Sequence, residues 1–83
     1  MNNKILIEII VPMIQEEYDI YIPVSKSVRQ ATQLLIKSIN ELSDGHFPIK
    51  DNNILLKENG DVLAQNLTIK DNGIKNGDKI ILI

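Results

Sequence analysis

The sequence has 83 residues, 43% of them hydrophobic, which suits one small domain with a packed core. Nine basic and eleven acidic residues give a formal charge of −2 without any basic cluster, which argues against a nucleic-acid-binding surface. The chain contains no cysteine, which excludes disulfides, thiolate metal sites and a thiol nucleophile.

The apolar N-terminal segment lacks the features of a signal peptide. Glu8 interrupts its apolar run, Lys4 is its one basic residue, and no small-residue cleavage site follows. No apolar run in the chain reaches the ~18 residues that a membrane-spanning helix needs. These features predict a soluble, cytoplasmic protein with no direct membrane insertion.

Two alternating strands open the chain. Residues Lys4 to Val11 are rich in Ile and Val, which favours a strand, and Pro12 ends it because proline cannot donate a ladder hydrogen bond. Tyr18 to Ile22 alternates in the same way and ends at Pro23. The short link between the strands predicts an antiparallel hairpin. The inward face of the first strand takes Ile5, Ile7, Ile9 and Val11, and its outward face takes Leu6, Glu8 and Ile10.

A helix is predicted from Ser27 to Ser43. Ser27 with Gln30 three residues later is a capping-box pattern, and Asp44-Gly45 is a stop signal. Between them, apolar residues recur at steps of three and four and form one stripe. The stripe consists of Val28, Ala31, Leu35, Ile39 and Leu42, flanked by Leu34 and Ile36.

Short strands and tight turns make up the second half of the chain. Ile54 to Lys57 predicts a third strand, and Val62-Leu63 predicts a short fourth one after a turn at Gly60. Asn76-Gly77 is a second turn, and Lys79 to Ile83 is the last strand. The apolar residues spaced through the intervening polar loop are predicted to anchor irregular backbone; they are Leu67, Ile69 and Ile74.

The hydrophobic core is predicted to lie between the helix and one face of the strands. Its members are expected to be Ile5, Ile7, Ile20, Val28, Leu35, Ile39, Leu56, Leu67, Ile80 and Leu82.

This order of hairpin, helix, short strands and final strand resembles the β-grasp order of ubiquitin-like domains. The stretch SKSVRQATQLLIKSI is similar to the capped first helix of that family, and NGDVLAQNLTIKDNGIKNGDKIILI is similar to its second half. The resemblance implies an α+β fold with a mixed sheet of four or five strands packed on one main helix. It also implies that residues 1–83 form one ubiquitin-like domain, with the loop Asp44 to Asn53 departing most from ubiquitin.

One subgroup is more similar still: the small YukD-like proteins of bacterial type VII secretion clusters. They share the hydrophobic-Asp-hydrophobic second strand, here Tyr18-Asp19-Ile20, and a final segment similar to IKDNGIKNGDKIILI. The resemblance implies a non-enzymatic, cytoplasmic protein without a cofactor. It also implies a protein partner among the components of the membrane-embedded secretion machine or its regulators.

Catalysis and metal binding find little support in the residues. Ser43-Asp44-Gly45-His46 contains the residue types of a catalytic triad, but adjacent loop residues rarely form one, because a triad is assembled from separate elements. The carboxylates of Asp61, Asp71 and Asp78 do not have the spacing of an EF-hand loop. Turn formation accounts better for the Asn and Gly residues around them.

Carrier chemistry is also disfavoured. Ubiquitin and the related sulfur carriers react through a Gly-Gly tail, which is thin and flexible enough to enter an activating enzyme, whereas here Ile83 is expected within the last strand. The expectation is therefore no conjugation and no sulfur transfer. Two alternatives stay open: a carrier or modifier whose tail is made by other means, and a β-grasp domain that binds itself.

Surface recognition is the function that these considerations favour. Ubiquitin binds through an apolar patch on the open face of its sheet, but alignment on Gly60 places the central isoleucine of that patch at Lys57. In the β-grasp order the last strand lies between the first and the third. Alternation then predicts a different apolar patch on the open face, formed by Leu6, Ile10, Leu55, Ile81 and Ile83.

Overall fold

The computed structural model describes residues 3–83, which form four strands, one α-helix and two short 3-10 helices. The regular elements are β1 (Lys4–Val11), β2 (Glu16–Pro23), α1 (Val28–Leu42), β3 (Leu55–Lys57) and β4 (Lys79–Leu82). The 3-10 helices are Pro12–Ile14, between β1 and β2, and Lys70–Asn72, between β3 and β4.

The four strands form one mixed sheet in the order β2-β1-β4-β3. β1 pairs antiparallel with β2 and parallel with β4, and β3 pairs antiparallel with β4. The predicted α+β, β-grasp arrangement is confirmed, including the central place of the last strand. The predicted fourth short strand is reduced to one isolated bridge between Leu56 and Val62.

Proline and turn geometry set the ends of the first hairpin. β1 ends where Pro12 begins the 3-10 turn, and Gln15 takes the left-handed conformation (φ 54°) that reverses the chain. All eight residues of β1 then pair with β2, from Lys4 opposite Pro23 to Val11 opposite Glu16.

The helix begins and ends as its capping residues predict. The Ser27 hydroxyl accepts a hydrogen bond from the Gln30 amide at 3.2 Å, and the Gln30 side chain accepts from the Ser27 amide, which completes a capping box. At the other end, Asp44 and Gly45 both adopt positive φ, and the Gly45 amide donates to the Asn40 carbonyl at 2.8 Å. No helix within residues 3–83 is long and apolar enough to cross a membrane.

The core lies between α1 and the facing side of the sheet, and most of its predicted members are there. Ile7, Val28, Leu35, Ile39, Ile80 and Leu82 are buried, while Ile5 and Ile20 are half-buried and pack against them. The chain's one phenylalanine, Phe47, and Leu63 are also buried, although neither was predicted as core.

Two of the residues predicted to be core lie outside it, and one residue of the predicted apolar stripe of the helix is exposed. Leu67 is 44% exposed because its backbone does the anchoring: its carbonyl accepts from the Val28 amide at 2.8 Å. Its neighbours Leu63 and Ile69 fill the core instead. Leu56 is only half-buried and faces away from the helix. Leu42, at the end of the stripe, is exposed.

Candidate protein-binding face

The sheet has one face without a helix, which we call the open face. Residues paired directly across neighbouring strands project their side chains to the same face, so the strand register identifies its members. They are Leu6, Glu8 and Ile10 from β1, Glu17, Asp19 and Tyr21 from β2, Lys79 and Ile81 from β4, and Leu56 from β3.

The structure brings two residues of the predicted patch, Ile10 and Ile81, together. Ile10 lies opposite Ile81 in the parallel pairing of β1 with β4, and both side chains are half-buried. Ile83 continues the pairing beyond β4, since its amide donates to the Ile54 carbonyl at 3.1 Å and its carbonyl accepts from the Ile54 amide at 3.0 Å. The side chain of Ile83 is exposed.

The prediction that Leu55 belongs to this face is wrong. Leu55 is 1% exposed and lies opposite the buried Leu82, whereas Leu56 lies opposite Ile81. The register of β3 is therefore shifted by one residue from the expectation, and Leu56 takes the place that Leu55 was assigned.

The side chain of Asn53 helps to hold this register. Its amide nitrogen donates to the Ile83 carbonyl at 3.1 Å, and its oxygen accepts from the Lys50 amide at 2.9 Å. Because Asn53 is buried and side chains alternate along the backbone, Leu55 also points inward. The same alternation corrects the expectation for Lys57, which lies opposite the buried Ile80 rather than on the open face.

Four apolar side chains now form a continuous line across the open face. Val62 bridges Leu56 and so shares its face, and it is 58% exposed. We call this line of Ile10, Ile81, Leu56 and Val62 the apolar row. It spans three inter-strand steps of ~4.8 Å, or about 14 Å, and it is the longest apolar feature of the open face among the described residues.

Leu6 lies apart from the apolar row. Glu8 and Lys79 occupy the positions between them and form a partly exposed ion pair with 3.8 Å between Nζ and Oε2. Leu6 is instead opposite Tyr21, which is 62% exposed. The predicted patch is thus divided by a charged pair, and Leu6 joins a separate apolar pair with Tyr21.

The sequence carried no signal for Leu56 and Val62 as members of this face. The run Ile54-Leu55-Leu56 is apolar throughout, so alternation cannot choose which residue faces the core. Val62 follows the turn at Gly60 and takes the same face as Leu56 through the bridge between them. The pairing of β3 with β4 decides which of these residues faces the core, which the local pattern cannot.

The serine and histidine considered for catalysis serve the end of the helix. The Ser43 hydroxyl donates to the Asn40 carbonyl at 3.3 Å and accepts from the Phe47 amide at 3.2 Å. His46 Nδ1 lies 2.6 Å from the Ser43 carbonyl oxygen rather than from its hydroxyl. Within residues 3–83 no group of three or more His, Cys, Asp or Glu side chains is placed to hold a metal ion.

Solved structures similar to this one are ubiquitin-like domains. The ubiquitin-like domain of EccD5 from Mycobacterium xenopi has a TM-score of 0.83 and 16% identity, over 99% of this chain and 94% of that chain. The ubiquitin-like domain of the Mycobacterium tuberculosis type VII secretion system protein ECCD1 has a TM-score of 0.79 and 13% identity, over 100% and 99% of the two chains. No protein-family model and no curated protein matches the sequence.

A third similar structure is a chain of the MycP5-free ESX-5 inner membrane complex. It has a TM-score of 0.83 at 14% identity over 99% of this chain, which covers 21% of that longer one. These likenesses establish that the protein has a ubiquitin-like β-grasp fold, of the kind found in the EccD proteins of type VII secretion systems.

Proposed function

We propose that residues 1–83 form one ubiquitin-like domain that serves a bacterial type VII secretion system by binding another protein through the open face. The observation that carries this proposal is the apolar row, which runs across the sheet and is covered by no element within residues 3–83. The partner is a component of the secretion machine or one of its regulators.

The size of the apolar row suits a specific contact of modest affinity. Covering a fully exposed side chain of this size contributes ~1.5–3 kcal/mol, and each half-buried residue of the row contributes less. Association also carries an entropic cost. The row therefore needs several of its members covered at once, which a complementary protein surface provides and a small ligand does not.

The comparisons support the choice of system. EccD5 and ECCD1 have domains of this fold, and one similar chain belongs to an inner membrane complex. By analogy, this protein acts in the cytoplasm, docks on a protein of such a machine without entering the membrane itself, and resembles the YukD-like proteins in doing so. It is non-enzymatic and uses no cofactor.

The proposed mode of action involves neither conjugation nor sulfur transfer. Ile83 is held by its two backbone hydrogen bonds to Ile54 and by the side chain of Asn53, so its backbone is part of the sheet. Incubation with ATP and an adenylating enzyme from the same host tests this point. An acyl-adenylate or a thiocarboxylate in the intact-mass spectrum would contradict it.

Binding through the open face is tested by affinity capture from the native host with quantitative mass spectrometry. The test variant carries Leu56→Ser and Ile81→Ser. The matched control carries Leu42→Ser and Ile49→Ser, which remove one Leu and one Ile that are each 59% exposed and lie outside the open face. We expect the wild type and the control to capture type VII components and the test variant to lose them.

The outcomes separate the two parts of the proposal. Equal capture of the same partner by all three proteins would show that the open face is not the binding surface. Capture of a partner unrelated to secretion, lost only in the test variant, would keep the binding face and reject the type VII role. Amide spectra of the three proteins check that each is folded.

A further inference from the structure

β2 is an eight-residue strand at the edge of the sheet, and among the strands that the structure describes its one neighbour is β1. Long edge strands offer unpaired backbone groups to other chains, and proteins usually protect them. The direction of each hydrogen bond in β1 shows which groups β2 leaves unpaired.

The even-numbered residues of β1 point their backbone groups toward β4. The Glu8 amide donates to the Asp78 carbonyl at 3.0 Å, and the Leu6 carbonyl accepts from the Gly77 amide at 2.7 Å. Backbone groups alternate in direction along a strand, so the odd-numbered residues of β1 point toward β2 and form the hydrogen-bonded pairs there.

The remaining residues of β2 therefore direct their backbone groups away from the sheet. These are Glu17, Asp19 and Tyr21, which lie opposite the even-numbered residues of β1. No hydrogen bond within residues 3–83 engages their outward N–H and C=O groups. Since they are spaced by two residues, they form a regular ladder with steps of about 6.8 Å. We call this ladder the β2 edge.

The charge on the β2 edge is of one sign. The sequence of β2, EEYDIYIP, has three carboxylates and no basic residue. Glu17 and Asp19 are exposed, and neither forms an ion pair within residues 3–83. Any strand that pairs with this edge places its own side chains directly opposite these two carboxylates.

A second copy of the chain does not fit the β2 edge. Two β2 strands paired antiparallel, with all three outward residues engaged, would place Asp19 opposite Asp19 and Glu17 opposite Tyr21. Like charges directly opposite each other destabilise a strand pair. The acidic residues thus protect the edge against self-association, while they attract a basic strand.

The core-facing side of β2 sets a second requirement for the sequence of a strand that pairs with the β2 edge. Tyr18 and Ile20 point toward the core but are only half-buried, because the sheet ends beside them. A strand added at the β2 edge would cover these two side chains with its own alternate residues. The fitting pattern alternates basic residues, facing Glu17 and Asp19, with apolar residues, facing Tyr18 and Ile20.

We propose that the β2 edge binds an extended segment of another protein, with alternating basic and apolar residues, as an additional antiparallel strand. An antiparallel pairing suits this edge because each of Glu17, Asp19 and Tyr21 can then form both of its backbone hydrogen bonds, through N–H and C=O, with the one residue opposite it. This surface is separate from the apolar row, and the inference does not depend on the type VII role.

The test uses three forms of the capped peptide Lys-Val-Lys-Val-Lys-Val, titrated into the isotopically labelled protein and followed by its amide spectrum. The first is unmodified, the second is N-methylated at the lysines, and the third is N-methylated at the valines. The last two have identical charge. With each lysine opposite an outward residue of β2, only lysine N-methylation removes the donors that face the protein.

We expect the unmodified and valine-methylated peptides to bind, and the lysine-methylated peptide to bind roughly tenfold more weakly or worse, because several hydrogen bonds are lost together. The amides of Glu17, Asp19 and Tyr21 should exchange rapidly with solvent in the free protein and become protected on binding. An equal effect of the two methylations, or no binding by the unmodified peptide, would overturn the proposal.

Charge is tested separately with variants of the protein. Glu17→Gln with Asp19→Asn should weaken binding of the unmodified peptide, and the matched neutralisation Glu41→Gln with Asp71→Asn, at exposed positions away from β2, should not. Equal binding by both variants would overturn the predicted preference for basic segments. Dimerisation of the free protein through β2 in sedimentation experiments would identify a second copy as the occupant and overturn the proposal.

Discussion

At the scale of single residues, the most informative contrast is between two adjacent leucines. Leu55 lies against Leu82 in the core, while Leu56 lies beside Ile81 on the open face. Their side chains are identical and their intrinsic preferences equal, so only the strand register distinguishes them. The loss of stability on substituting each leucine in turn therefore reports the register of β3.

We predict that Leu55→Ala lowers the free energy of unfolding by about 2–5 kcal/mol, because it leaves a cavity in a small core. Leu35→Ala, on the buried side of the helix, should have a cost in the same range. Leu56→Ala should have a much smaller effect, since solvent already reaches its side chain. Urea denaturation of the three variants gives the comparison, and a larger loss for Leu56 than for Leu55 would mean that the register is that of the original expectation.

At the scale of elements, both local and long-range hydrogen bonds satisfy the donors at the N-terminus of α1. Its first turn is closed by the Ser27–Gln30 capping box, which is encoded within four residues. The carbonyls of Leu67 and Gln65 accept from the Val28 and Arg29 amides, at 2.8 and 3.1 Å. The loop before β4 therefore satisfies helix donors that the capping box does not reach.

We predict that Ser27→Ala lowers the free energy of unfolding by ~0.5–2 kcal/mol, the usual range for loss of an N-cap. The control is Ser25→Ala, two residues earlier, at an exposed position with no hydrogen bond from its hydroxyl within the described chain. Thermal unfolding followed by circular dichroism makes the comparison. Equal effects of the two substitutions would indicate that the capping box contributes nothing to stability.

At the scale of the whole molecule, β4 joins the two halves of the chain. It pairs in parallel with β1 on one side and antiparallel with β3 on the other, and its inward residues Ile80 and Leu82 are completely buried. Because β1 and β3 do not touch directly in the sheet order, the sheet depends on β4 for its continuity.

We predict that removal of residues 80–83 abolishes folding, because a domain of this size has a thin margin of stability and the deletion removes two core side chains with a central strand. Removal of Ile83 alone should be tolerated with reduced stability, since it removes the hydrogen bonds with Ile54 and Asn53 but leaves the core intact. Amide spectra of the two truncated proteins distinguish these outcomes. A folded protein without residues 80–83 would contradict the central role of β4.

Local signals in the sequence determined β1, β2 and α1. Each of them is long enough for its periodicity to be unambiguous, and each is bounded by a residue with a strong backbone preference: Pro12, Pro23, Ser27 and Gly45. The α+β, β-grasp fold was implied by the resemblance of the order of the elements, and of two stretches of sequence, to ubiquitin-like domains. For these parts the local preference and the final structure agree.

Only the tertiary structure decided the register of β3, the exposure of Leu67 and the membership of the apolar row. A three-residue strand within a uniformly apolar run has no periodicity from which its inward face could be predicted. A leucine in a loop, such as Leu67, can stabilise the fold through its side chain or through its backbone, and only the surrounding structure decides which. The unpaired groups of the β2 edge follow from the hydrogen bonds between β1 and β4. These features depend on residues that are distant in the chain and adjacent in space, so no local pattern specifies them.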